Sequence, residues 1–184
     1  MTDPLALRAL AHPIRWKLID VLTSEGTVTA TRCSELTGES TATCSYHLGV
    51  LAKYGYIRRV AAEQWREKPW QLVTPDLNLS ASGPDEEQNA ASRAAAAAFV
   101  DYEMTRLKES LRLSAQEPEE WRGANKIMAT TAWLSPGEIR QAIAEIGKVL
   151  DKYGGQERAG RQHQAGARPA RLFAAVALMP ADPD

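Results

Sequence analysis

Between positions 40 and 47 the chain places Ser40, Thr41, Thr43, Ser45, Tyr46 and His47, with Ala42 and Cys44 among them. Hydroxyls, a phenol and an imidazole at that density suit recognition better than bond-making. Ser and Thr reach base edges or phosphate oxygens, and small neighbours allow a backbone to come close. Cations follow at Lys53, Arg58, Arg59, Arg66 and Lys68. From 40 to 60 there are three bases and no acid. The whole chain of 184 residues carries a net charge of −1, so a polybasic mode of nucleic-acid binding is excluded and any such role rests on this local patch.

Other chemistry is not supplied. No Gly-rich phosphate loop, nucleophile elbow or paired carboxylates in a plausible pocket can be read, so an enzyme is not expected, and neither is a cofactor. Cys33 and Cys44, eleven positions apart, do not make a disulfide framework. A reducing, cytoplasmic setting is expected, because no basic segment followed by an apolar one opens the chain. No apolar run approaches the roughly 20 residues of a membrane span.

The elements that must position these residues follow from periodicity and punctuation. Residues 5–10 read as a short helix, and Pro13 starts a second over 13–24, with Ile14, Leu18, Val21 and Leu22 on one face. Thr29 is the expected N-cap of a helix over 30–37, stopped by Gly38. Ser40 caps the next, over 41–54, with Gly55 beyond it. Two short helices joined by Gly38-Glu39-Ser40 make a helix-turn-helix pattern. On the second of them Cys44, Leu48 and Leu51 share the inward face. Ala42, Tyr46, Gly49 and Lys53 lie roughly 200° around the helix, flanked by Thr43 and Ser45. Residues 56–62 and 71–73 read as a hairpin whose polar loop holds Trp65, Arg66 and Lys68, a wing. Its Arg58, Arg59, Arg66 and Lys68 suit flanking phosphates.

A turn-rich connector over 75–84 precedes a long helix over 85–114. Val100, Met104, Leu107 and Leu111 step along it by 4, 3 and 4, the heptad spacing of a helix-pairing seam, and are the expected dimer interface. A helix-turn-helix dimer reads two half-sites, and one module alone rarely binds tightly. Residues 125–134 and 171–179 read as strands around a helix over 136–153, with Ile139, Ala142, Ile143, Ile146, Val149 and Leu150 inward. That strand–helix–strand either closes a pocket for a small-molecule effector, lined by Ile127, Trp133, Phe173 and Val176, or covers the dimer core.

The segment 10–73 resembles the winged helix-turn-helix of the ArsR-type bacterial transcriptional regulators. The resemblance is carried by LAHPIRWKLIDVL, by ATRCSELTGESTATCSYHLGVLAKYGYI and by REKPWQLV, with Ser45-Tyr46-His47-Leu48, Leu51 and Gly55 its most specific part. It implies a homodimeric, sequence-specific repressor or activator, with Ser40 to His47 on double-stranded DNA and the wing beside it. Metal sensors of that family carry Cys-Val-Cys where this chain has Arg32-Cys33-Ser34, and no Asp-x-His-x-His cluster occurs on the long helix. The resemblance is therefore to a branch that does not sense metal.

The expected fold class is mainly α with a small β wing. It comprises a winged helix-turn-helix over 1–75, a linker and dimerisation helix over 76–116, and a C-terminal β-α-β region over 117–184. Two other functional readings use the same residues. One is a winged-helix docking module that does not bind DNA. The other is a redox-responsive regulator in which oxidation of Cys44 disturbs the reading helix.

Overall fold

Local punctuation sets most of the helix boundaries. The computed structural model describes residues 3–61, 68–73, 79, 85–154, 166–168 and 170–179. Helix α1, Pro4–Ala9, starts on Asp3, whose carboxylate accepts the Leu5 N–H at 2.9 Å. Helix α2, Pro13–Glu25, has Pro at its first position and ends at Gly26, whose φ of 78° few other residues adopt cheaply. Helix α3, Ala30–Thr37, is capped by Thr29 and stopped by left-handed Gly38. Helix α4, Thr41–Lys53, is capped by Ser40, whose Oγ accepts the Thr43 N–H at 3.0 Å. Helix α5, Glu86–Leu113, begins with Asp85 accepting from Gln88 N–H at 2.7 Å.

Three short strands complete an antiparallel sheet in the order β1-β3-β2. Strand β2 is Ile57–Arg59 and β3 is Trp70–Leu72, with Ile57 opposite Leu72 and Arg59 opposite Trp70. Backbone bonds from Val60 to Pro69 and from Val73 to Tyr56 extend this pair at both ends. Strand β1, Thr27–Val28, pairs with the other edge of β3 and was not expected from the sequence. Two residues carry no period to read, and β3 supplies the partner. The result is mainly helical with a small sheet, an arrangement compatible with a winged helix. The hairpin tip with Arg66 and Trp65, and the 75–84 connector apart from Leu79, lie outside the described residues.

The core is built where these elements meet. Leu10, Leu18, Leu22, Val28, Cys33, Cys44, Leu48, Leu51 and Ile57 are buried almost completely, joined by Ile14, Trp16 and Trp70. Each fully buried aliphatic chain contributes about 1.5–3 kcal/mol. Helix α5 packs on α1 and α2 through Ala91 and Ala95, and Phe99 sets its ring 4.8 Å from that of Trp16. Alanines on this face let α5 lie close.

The chain divides into two compact units, Met1–Arg122 and Gly123–Asp184. In the second, helix α6, Pro136–Gly154, begins with the expected capping box: Glu138 accepts the Ser135 N–H at 2.8 Å. The strands expected around it are corrected. Segments 125–134 and 171–179 are described, and neither is a strand. Ile127, Trp133 and Val176 are exposed, so of the two alternatives for this region the pocket lined by them is not enclosed. Ile143 and Val149 of α6, expected inward, are 51% and 53% exposed. Apolar alternation favours an extended chain, but a strand also needs a neighbour in register. No described helix is long and apolar enough to cross a membrane.

Candidate functional site

Helix α4 separates its residues as its periodicity requires. Cys44, Leu48 and Leu51 have no exposed surface, which fixes the helix against the core by one side. The opposite side presents Thr41, Ala42, Ser45, Gly49 and Lys53 to solvent, with Tyr46 66% exposed. A rigid helix with a small, hydrogen-bonding outer face and one projecting phenol is thereby available to a partner. Ser40 and Thr43 are less free, since their hydroxyl oxygens lie 2.7 Å apart and Ser40 closes the N-terminus.

His47 does not belong to that outer face. It is buried, and its Nδ1 accepts a hydrogen bond from Arg15 Nε at 3.3 Å. The His12 ring lies 4.5 Å away and Tyr46 meets His47 edge-on at 5.0 Å. Arg15 is anchored from its other end, donating through Nη1 to the Ala9 carbonyl. Burial, then the nearby His12 and Arg15, hold the His47 pKa below its usual value, while Glu39 acts weakly the other way. A neutral imidazole is what the Arg15 bond needs, because Nδ1 must accept. His47 thus orients the start of α4 against α2, and Tyr46 leans on it.

Arg15 was not singled out from the sequence, although a signal existed. It stands in the first turn of α2, where a cation faces the positive end of the helix dipole. A residue tolerated there has another task. Arg8 was missed for a different reason, since it meets Arg15, Tyr46 and Lys53 only in the folded chain, around a cleft of about 320 Å³ that Val50 and Tyr54 also line.

The sheet holds the remaining cations in different states. Arg59 stacks 4.1 Å over the Trp70 ring and donates from Nη1 to the Lys68 carbonyl at 2.9 Å, so it is part of the scaffold. Arg58 donates to Gln71 at 3.4 Å, and Lys68 is exposed. Arg66 lies outside the described residues.

On α5 the heptad stripe faces away from the core contacts. Val100 and Leu111 are 41% and 38% exposed, with Met104 and Leu107 half-buried. The stripe lies about 140° around the helix from Ala95, Phe99, Tyr102 and Arg106, at about 100° per residue. Among the described residues no three His, Cys, Asp or Glu side chains are grouped so as to hold a metal. Cys33 and Cys44 are buried and form no disulfide. No protein-family model matches the chain. No curated protein matches it in sequence.

Proposed function

We propose that this chain is a sequence-specific DNA-binding transcriptional regulator, acting as a homodimer on a pseudo-palindromic operator. Helix α4 enters the major groove, with Ser45 and Tyr46 at base edges and Thr41 and Ala42 at the approach. Lys68, Arg66 and the rest of the hairpin lie along the flanking backbone as a wing. The observation that carries this reading is the outward face of α4: exposed, small and hydrogen-bonding, on a helix locked to its scaffold by Cys44, Leu48 and Leu51. The short Gly38-Glu39-Ser40 turn and the hairpin following α4 support it. Dimerisation through Val100, Met104, Leu107 and Leu111 supplies the second half-site.

Tyr46 and Lys53 are open rather than covered, as the DNA reading requires. The complete burial of Cys44 gives a redox role no support, since oxidants act on exposed thiolates. The test is titration of the full chain into labelled DNA from upstream of its own gene, with scrambled duplex as competitor. A specific regulator prefers its site by about 10³-fold or more. Binding that vanishes with competitor on every candidate operator would overturn the reading.

A further inference from the structure

The outer face of α4 ends in a cleft that the reading above does not use. Arg8 from α1, Arg15 from α2, and Lys53 from α4 converge on it, with the rings of Tyr46 and Tyr54 in its wall. No carboxylate lines it. Glu87 pairs with Arg8 Nη2 at 3.1 Å, but that pair is solvent-exposed and leaves Arg8 further donors. Arg15 spends Nε on His47 and Nη1 on Ala9, both neutral acceptors. Its guanidinium is therefore partly desolvated with no anion against it, and burial lowers its pKa. A desolvated cation facing an open cleft is stabilised by an anion that enters.

The C-terminus of α4 points its carbonyl dipoles toward the same end, which disfavours an anion. That effect is equivalent to about half a negative charge, against the charges of Arg15 and Lys53 and that of Arg8, which Glu87 partly offsets. The cations win. Two arginine forks and two phenols suit tetrahedral oxygens better than a single carboxylate, since they approach from several directions.

We propose that this cleft is a phosphate seat. Resting on the DNA-binding reading, its occupant is a backbone phosphate beside the groove that α4 enters, since Tyr46 forms both the cleft wall and the reading face. A free phosphorylated ligand has the same chemistry and would compete for the same seat.

The experiment follows backbone amide shifts of the full chain titrated with inorganic phosphate, against chloride of equal ionic strength. Duplex affinity is measured across salt in parallel. Arg8→Gln and Lys53→Gln are the variants, because both side chains are exposed and neither holds the fold. Arg15 is left intact for its packing role. Phosphate is expected to shift residues around 8, 15, 46 and 53, and either variant to weaken that binding several-fold. If the seat holds DNA, each variant also lowers the salt slope of duplex binding by about 1, and phosphate competes with duplex. If phosphate binds but the variants keep the wild-type slope, the seat serves a free ligand. A chain that binds phosphate here but no DNA sinks the regulator reading and leaves the seat standing. Absence of cleft-specific shifts together with unchanged salt slopes overturns the seat.

Discussion

Tyr102 donates its phenolic hydrogen to Asp20 at 3.0 Å, across 82 positions of sequence. The same Asp20 oxygen meets Arg106 Nη1 at 2.9 Å. Burial, followed by the Asp20 charge and hydrogen bond, pushes the Tyr102 pKa far above the usual phenol range, so it remains a donor. This contact fastens α5 to α2. Through α2 and its Arg15–His47 bond, the helix carrying the apolar stripe is connected to the helix carrying Tyr46.

Tyr102→Phe removes one hydrogen bond and keeps the ring, and should cost about 1 kcal/mol. Asp20→Ala leaves Tyr102 without its acceptor and Arg106 without its ion-pair partner, and should cost about 2–3 kcal/mol. Urea unfolding, with hydrogen exchange of α5 amides as a local readout, measures both. Equal effects from the two variants would mean that Arg106 draws nothing from Asp20.

His47 makes stability depend on pH. Its folded-state pKa lies below the unfolded value of about 6.5, so the unfolded chain binds the proton more readily. Stability should therefore be full above that value and decline as pH falls from there toward the folded pKa. Groups facing His47 are His12, Arg15, Tyr46 and Glu39. His47→Gln retains an acceptor for Arg15 and should flatten the melting temperature between pH 7 and 5. A profile as steep as the wild type's would assign the dependence to another group.

On the proposed reading, base contacts and backbone contacts should separate by mutation. Tyr46→Ala or Ser45→Ala should reduce discrimination against altered operators by roughly 1–3 kcal/mol and barely change stability. Lys68→Gln should weaken all duplexes alike and lower the salt slope by about 1. The comparison is of competition curves on matched and mutated sites. Loss of stability in Tyr46→Ala, seen as a lower melting temperature, would recast that residue as scaffold.

Charge in the α5 stripe should break the proposed dimer. Val100→Glu and Leu111→Glu alter exposed positions, so the monomer should keep its fold while sedimenting as one chain at micromolar concentration. Operator affinity should fall with it, because a half-site alone holds a single module weakly. A wild-type chain that sediments as a monomer under those conditions ends the dimer proposal.

Both thiols should resist modification in the native state. Cys33 and Cys44 have no exposed surface, so alkylation should wait for unfolding. Thiol counting with and without denaturant decides this. Fast labelling of Cys44 in the folded chain would reopen the redox reading.

What the sequence by itself determined was whatever depends on neighbours within about one helical turn. The capping of α3 by Thr29 and of α4 by Ser40, the start of α5 at Asp85 and the Ser135–Glu138 capping box were all legible, because side chain and backbone partner are three residues apart or fewer, and so was the stop at Gly38, which needs only glycine's left-handed backbone. So was the division of α4 into Cys44, Leu48 and Leu51 inside and Tyr46 and Lys53 outside, which only periodicity governs. Tertiary structure decided the rest. Strand β1 exists because β3 offers Thr27 and Val28 an edge. Segments 125–134 and 171–179 have the composition of strands without being strands, because apolar content cannot supply a registered partner. His47 flanks the core face by periodicity alone, but its partner Arg15, 32 positions earlier, is set by the fold, and the cleft of Arg8, Arg15 and Lys53 arises only where three helices meet. Hydrogen bonds and charges at that separation leave no period in a sequence, so they are found only once the chain is folded.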